Sequence, residues 1–322
     1  MDLKNYTVVA TGRIRKCAYE LLKDKVNLLD WQQGGRMPKD VLAERLAKAD
    51  ALYSTGNMRI TRELLEAAPK LKIVAQAMVG FDNADLGACA EKNVVLTNTP
   101  HVLVDAVADL AYALILDSAR GIVAADAHVK KGLWGERKAF GLKTDLAGKT
   151  LGIVGLGDIG SAIAVRAKAS KMKIIYHNRH ERKEASELGA EFVSFEELLG
   201  RSDFIVIAVT LNSSTRHMFN KEAFAAMKKG ARLVNISRGA VVDSDALYEA
   251  LASGQLAHAA LDVVEPEPLP AEHKLLTLSN ITVTPHIASA TTETRDAMAM
   301  LTAENILAVL EGKEALTPVR TK

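Results

Sequence analysis

Cysteine is nearly missing from this chain: Cys17 and Cys89 are the only two in 322 residues. Both stand in helix-like segments without the spacing of a metal site. No metal ligation is expected, and the thiols read as buried or spare groups kept in reducing surroundings. A surplus of charge is missing as well. Forty-one Lys and Arg against 39 Asp and Glu leave +2, with the signs mixed along the chain. That gives no support for a nucleic-acid partner or a membrane surface. No apolar run reaches bilayer-spanning length, and the opening Met1-Asp2-Leu3-Lys4-Asn5 has no signal-peptide core. Low-complexity tracts and short repeats are absent. The expectation is a cytoplasmic globular protein, long enough for two domains with cores of their own.

What the chain does have is a glycine-rich turn in a telling context. Residues 149–178 read K-T-L-G-I-V-G-L-G-D-I-G-S-A-I-A-V-R-A-K-A-S-K-M-K-I-I-Y-H-N. An apolar run (Leu151, Ile153, Val154) leads into Gly155, Gly157 and Gly160. A helical pattern follows, then a second apolar run from Ile174 to Tyr176. G-x-G-x-x-G is weak alone, but between a strand and a helix it is a dinucleotide-binding fingerprint. Gly155 permits the tight turn, Gly157 the approach of backbone to a pyrophosphate, and Gly160 close packing of helix on strand. The helix start, with the N–H groups of Asp158 and Ile159, offers partial positive charge to the phosphates.

The end of the second strand names the cofactor. Asn178 stands 18 residues after Gly160, where an NAD enzyme usually carries Asp or Glu for the ribose hydroxyls. A carboxylate would repel a 2′-phosphate; Asn does not, and Arg179 beside it offers charge-assisted bonds. NADP(H) is therefore expected to be preferred, with NAD(H) possible.

The first hundred residues alternate strand and helix. Strands are expected at Thr7–Ala10, Val26–Leu29, Ala51–Tyr53, Leu71–Ala75 and Val94–Leu96. Helices are expected at Ile14–Leu22, at Pro38–Lys48 with proline in the first turn, and after Thr61 and Asp85 as caps. This portion lacks a phosphate fingerprint. Its loop Met78-Val79-Gly80-Phe81-Asp82-Asn83-Ala84-Asp85 suits either a small carboxylate or an ordinary strand-to-helix turn. Val102–Ala119 is expected to form a long helix whose broad apolar face packs between domains or on another subunit. Trp134 then reads as core or interface packing. Further strands are expected at Glu191–Val193, Asp203–Val209, Ala231–Ile236, Ala259–Val264 and Ile281–Thr284. A helix is expected at Ser244–Ser253, and a final one at about 292–311 that returns to the first domain. The fold expected is α/β with two doubly wound parallel-sheet domains: a Rossmann cofactor domain at 101–289, and a flavodoxin-like substrate domain at 1–100 plus 290–322.

Three segments follow carboxyl ends of strands in the cofactor domain, where open α/β sheets bind ligands. They are Asn235-Ile236-Ser237-Arg238-Gly239, Leu261-Asp262-Val263-Val264-Glu265-Pro266-Glu267-Pro268 and Thr284-Pro285-His286-Ile287-Ala288. Arg238, Glu267 and His286 each have a bland reading singly: a surface ion pair, a loop carboxylate, a core histidine. As a set with the fingerprint and the G-F-D-N-A-D loop, these segments closely resemble the D-specific 2-hydroxyacid dehydrogenases over nearly the whole chain, and among them the glyoxylate/hydroxypyruvate reductases. One departure is Thr210-Leu211-Asn212, where that family commonly has a proline-containing turn under the adenine.

The resemblance implies the roles. Arg238 would hold the substrate's carboxylate and carbonyl oxygen, with backbone N–H groups of Val79 and Gly80 adding to the carboxylate. His286 would pass the proton to the carbonyl oxygen, and Glu267 would orient its ring. Asp262 would bind the nicotinamide amide. The expected activity is NADPH-dependent reduction of glyoxylate or hydroxypyruvate by a homodimer. The alternatives are a reductase of sugar-derived acids such as 2-ketogluconate, or a dinucleotide-sensing protein resembling the corepressors that share this fold.

Overall fold

The computed structural model describes residues 2–31, 33, 37–56 and 58–320, with backbone alone at 137–139. Asn57, in the loop 54–58, lies outside the described residues. The chain forms two compact units, Met1–Leu103 with Ala290–Lys322, and Val104–Ser289.

The first unit alternates β1 (Thr7–Ala10), α1 (Lys16–Leu22), β2 (Asn27–Leu29), α2 (Lys39–Leu46), β3 (Ala51–Ser54), α3 (Arg62–Glu66), β4 (Ile73–Gln76), α4 (Leu86–Glu91) and β5 (Val95–Thr97). The strands form one parallel sheet in the order β2-β1-β3-β4-β5, the flavodoxin-like order. Both faces of a parallel sheet are covered, so its inner strands are apolar throughout. Successive side chains point to opposite faces, and the two cores divide accordingly. Val8, Tyr53 and Ile73 pack under Ala299, Ala303 and Ile306 of a late helix. Val9, Leu52 and Val74 pack under Leu65 and Cys89. Thr61 caps α3 by accepting from Leu64 N at 3.3 Å, and Asp85 caps α4 by accepting from Ala88 N at 2.8 Å. Pro38 sits at the cap of α2 rather than inside its first turn.

The second unit opens with α5 (Val104–Arg120) and α6 (Ile122–Lys130). It continues through β6 (Thr150–Val154), α7 (Asp158–Ala169), β7 (Lys173–His177), α8 (Ala185–Leu188), β8 (Ala190–Phe192), α9 (Phe195–Arg201) and β9 (Phe204–Ile207). The last elements are α10 (Lys221–Ala226), β10 (Ala231–Asn235), α11 (Ser244–Ala252), β11 (Leu256–Leu261) and β12 (Ile281–Val283). The chain then returns to the first unit through α12 (Thr292–Leu310), which packs on α1, β3 and β4. Seven parallel strands run in the order β12-β11-β10-β9-β6-β7-β8. The winding reverses between β6 and β9, and the crevice at such a reversal is where doubly wound sheets take ligands.

One feature differs from the sequence reading and another narrows it. The broad apolar face of α5 is accounted for within its own unit, where it lies on β10, β11 and α7. A helix laid across a sheet and flanked by a second helix buries more than one stripe, which is what the wide apolar face reflected. Trp134, at the start of a 3₁₀ segment, is 71% exposed and so is not a core residue of this chain.

Candidate active site

The pairing register lines up the carboxyl ends of three neighbouring strands. Asn235 of β10 pairs with Leu261 of β11, and Leu261 pairs with Val283 of β12. The segments carrying Arg238, Asp262 with Glu267, and His286 therefore leave one edge of the sheet side by side. β10 and β12 are two strand spacings apart, about 10 Å.

Each segment is shaped by its own side chains. Asn235 is fully buried; its Oδ1 accepts from Ser237 N at 3.0 Å and its Nδ2 donates to Arg238 O at 2.9 Å. This Asx-type closure turns the chain sharply after β10. Arg238 leaves the turn half-buried, with Nη1 donating to Ser237 O at 2.8 Å. Gly239 must be glycine here, since a Cβ would lie 2.0 Å from the Val264 carbonyl. That contact seats the arginine turn directly against the chain leading to Glu267.

Asp262 does the same for the histidine segment. It is 1% exposed. Its Oδ1 accepts from Thr284 Oγ1 at 2.6 Å and from Ile287 N at 2.9 Å, its Oδ2 accepts from Ala288 N at 2.9 Å, and its carbonyl accepts from His286 N at 3.0 Å. His286 lies between these anchors at φ 54, in the left-handed region that a non-glycine residue rarely occupies. Four hydrogen bonds to one aspartate offset that conformational cost, which is of order 1–3 kcal/mol. The imidazole Nδ1 then meets Glu267 Oε1 at 2.5 Å. The two side chains are 44% and 41% exposed, so the pair faces solvent rather than the core. With Nδ1–H committed to the carboxylate, Nε2 is left for proton exchange with a ligand.

A second cluster stands beside it. Arg216 Nη2 donates to Glu265 Oε1 at 2.9 Å, and His217 Nε2 lies 3.1 Å from Glu265 Oε2. Partial burial pushes the Glu265 carboxyl upward, but the bonds from His217 and Arg216 outweigh it and hold the group below the usual carboxylate range. The sequence reading missed this cluster, and Asn235 with it. An Asn directly after Ile/Leu/Val-rich strand residues was the available signal for the latter.

The dinucleotide fingerprint has the geometry its glycines require. Gly155 sits at φ +103, and a Cβ there would be 2.6 Å from Ala208 O. A Cβ on Gly160 would be 2.2 Å from Gly155 O, the close approach of α7 to the turn. Gly157 has open space where its Cβ would be. The first helical bond of α7 is Ser161 N to Gly157 O at 2.8 Å, so the N–H groups of Ile159 and Gly160 precede it at the positive end of the helix dipole. These residues fit a pyrophosphate. Asn178 braces the same loop: its Oδ1 accepts from Leu156 N at 2.7 Å and its Nδ2 donates to Leu156 O at 3.3 Å. Arg179 and His180 next to it are exposed, and among the described residues neither has an ion-pair partner. Val79 and Gly80 lie in the first unit, in the loop that follows β4, both half-buried. Among the described residues there is no cluster of His, Cys, Asp or Glu able to hold a metal ion, and no helix is long and apolar enough to cross a membrane.

Residues 112–288 match the family model described as D-isomer specific 2-hydroxyacid dehydrogenase, NAD binding domain. A glyoxylate reductase of Thermococcus litoralis is 46% identical over 312 residues, covering 95% of this chain and 94% of that protein. One from Aeropyrum pernix is 44% identical over 317 residues, covering 97% and 95%. Among solved structures, a protein of Thermus thermophilus superposes with a TM-score of 0.89 at 42% identity, covering 98% of this chain and 100% of that one. An NADPH-dependent glyoxylate/hydroxypyruvate reductase from Sinorhizobium meliloti, in complex with NADP and malonate, does so with a TM-score of 0.87 at 33% identity, covering 98% and 97%.

Proposed function

Because the chain belongs to the D-isomer specific 2-hydroxyacid dehydrogenases, oxidoreductases that interconvert 2-oxo and 2-hydroxy acids, we propose that its substrates are glyoxylate and hydroxypyruvate and that NADPH is its preferred reductant. The observation that carries the chemistry is the His286–Glu267 pair, held on a strained loop by Asp262 beside the Arg238 turn. The bound nicotinamide supplies the hydride. His286 delivers the proton to the carbonyl oxygen and takes it back in reverse, with Glu267 keeping Nδ1 protonated and the ring in one orientation. Arg238 holds carboxylate and carbonyl oxygen with its planar fork. The N–H groups of Val79 and Gly80 take the carboxylate, which gives the first unit its role as substrate domain. Gly155, Gly157, Asp158, Ile159 and Gly160 cradle the pyrophosphate, and the second unit is the cofactor domain. Asp262 is assigned the nicotinamide amide; three of its four carboxylate acceptor positions are already used.

Preference for NADPH is supported by Asn178 in place of a carboxylate and by the exposed Arg179 beside it. The NADPH-dependent S. meliloti reductase is a structural relative. The deciding experiment is a panel of 2-oxo acids with each cofactor, followed at the reduced-nicotinamide absorbance. Equal use of NADH and NADPH overturns the cofactor reading, and preference for a long sugar acid over glyoxylate overturns the substrate reading.

A homodimer is the proposed assembly, in a cytoplasmic setting. Ile122, Val123, Val129 and Trp134 are exposed apolar side chains on α6 and the 3₁₀ segment after it, more than isolated surface apolars require. Sedimentation showing only monomer at micromolar concentration would contradict it.

A further inference from the structure

The loop that follows β4 is held from one side in a way that orients two peptide groups. Met78 O accepts from Thr99 N at 2.9 Å, and Val79 O accepts from the Asn98 side-chain Nδ2 at 2.7 Å. In a trans peptide the N–H points opposite to the C=O. With the carbonyls of 78 and 79 both turned toward residues 98–99, the N–H groups of Val79 and Gly80 are both turned away from them. Among the described residues neither N–H is taken by a backbone acceptor. Two successive N–H groups on one side of a turn make a concavity for an anion.

Asn98 is itself immobilised. Thr317 Oγ1 donates to Asn98 O at 2.6 Å, and Asn98 N lies 3.4 Å from Thr317 O. Thr317 is gripped in turn by Asn305 of α12, a fully buried residue: Thr317 N donates to Asn305 Oδ1 at 3.0 Å, and Asn305 Nδ2 donates to Thr317 Oγ1 at 2.9 Å. Val319 N donates to Leu96 O at 2.8 Å, and Thr97 bridges Pro318 in antiparallel fashion, so residues 317–319 lie along the β5 edge. A continuous run of hydrogen bonds thus leads from Asn305 through Thr317 and Asn98 to the Val79 carbonyl. Each buried amide in it is satisfied by a partner that is itself fixed, the arrangement that makes a polar network rigid.

We infer that Asn98 is a positioning residue for the substrate: by holding the Val79 carbonyl it aims the Val79 and Gly80 N–H groups at the carboxylate, with residues 317–319 as the strap that holds Asn98. This rests on the proposal that the loop binds a 2-oxo acid carboxylate. Removing the amide lets the Val79–Gly80 peptide rotate, at the expense of carboxylate affinity, while the dinucleotide loop in the other unit is untouched.

The test is calorimetric titration of oxalate into the protein saturated with NADP⁺, alongside glyoxylate kinetics and NADPH binding by fluorescence. Asn98→Ala is expected to weaken oxalate and raise the glyoxylate KM by about ten- to a hundredfold, the loss of one charge-assisted hydrogen bond. The NADPH Kd should stay within about twofold, on the same scale. Thr317→Val, which leaves Asn98 in place, should move oxalate binding the same way by less. Asn98→Ser, shorter but still polar, serves if the alanine variant does not fold. An oxalate Kd unchanged in these variants overturns the inference, as does an NADPH Kd weakened as much as that of oxalate. If the unaltered protein binds oxalate and Asn98→Ala does not, yet no 2-oxo acid is reduced, the positioning role stands and the proposed activity falls. If the unaltered protein binds no oxalate, both fall.

Discussion

His286 Nδ1 lies 2.5 Å from Glu267 Oε1, although the two residues are 19 apart in the chain and leave different strands. A charge-assisted contact of this kind fixes the tautomer and orientation of a ring in a way that packing alone does not.

His286→Ala should therefore reduce turnover by about 10²–10⁴, the usual contribution of a positioned acid–base group. Glu267→Gln keeps the shape but loses the charge, and should also lower kcat, by less. Both variants should bind NADPH as the unaltered protein does. Steady-state kinetics with glyoxylate checks this, and wild-type turnover in His286→Ala would rule out the assignment.

The three fingerprint glycines should not respond alike. Open space surrounds the missing Cβ of Gly157, while those of Gly155 and Gly160 would strike backbone. Gly157→Ala should fold with an almost unchanged melting temperature yet bind cofactor at least about tenfold more weakly, because a methyl group intrudes where backbone must approach the pyrophosphate. Gly160→Ala should lower thermal stability, by about 1–3 kcal/mol as overpacking does. Scanning calorimetry with and without NADPH separates the two effects. Identical behaviour of both variants would count against a phosphate at Gly157.

Cofactor choice should depend on Arg179 more cleanly than on Asn178. Arg179→Ala is expected to raise the KM for NADPH by about ten- to a hundredfold, the worth of a charge-assisted bond, and to leave that for NADH nearly unchanged. Asn178→Asp should shift preference toward NADH. It should also weaken both cofactors, because the amide that donates to Leu156 O becomes a second oxygen facing it. The measurement is the ratio of kcat/KM with the two cofactors. An unchanged ratio in Arg179→Ala would sink the cofactor assignment.

Acid should destabilise the second unit through His258. Burial pushes this imidazole down from 6.5 to about 4, and its Nδ1 has no hydrogen-bond partner among the described residues. The folded state therefore holds it neutral, whereas the unfolded chain takes up the proton below pH 6.5. Its contribution is complete above pH 6.5 and is lost as pH falls toward about 4. The gap between those two values corresponds to about 3 kcal/mol. Urea unfolding across about pH 4.5 to 7.5, the window this linkage sets, should show stability falling on the acid side. His258→Gln should flatten that fall. An equally steep fall in the variant would assign the acid sensitivity elsewhere.

Much of this protein was decided locally and is legible in its residues. The alternation of apolar runs with 3.6-period segments specifies two parallel sheets, because strands buried on both faces must be apolar throughout. The spacing of Gly155, Gly157 and Gly160 specifies a phosphate turn, because each answers a local steric demand. Arg238, Glu267 and His286 could be nominated because strand ends are where such sheets bind ligands. Other features come only from the folded chain. That Asp262 braces the histidine loop depends on residues 22 to 26 positions away. That Asn178 grips the glycine turn, that the α5 face is spent within its own unit, and that Asn98 joins Thr317 to Val79 across 219 and 19 residues are likewise contacts between distant segments. Periodicity and propensity report on neighbours within a few positions; a hydrogen bond between segments exists only once the sheet register has brought them together.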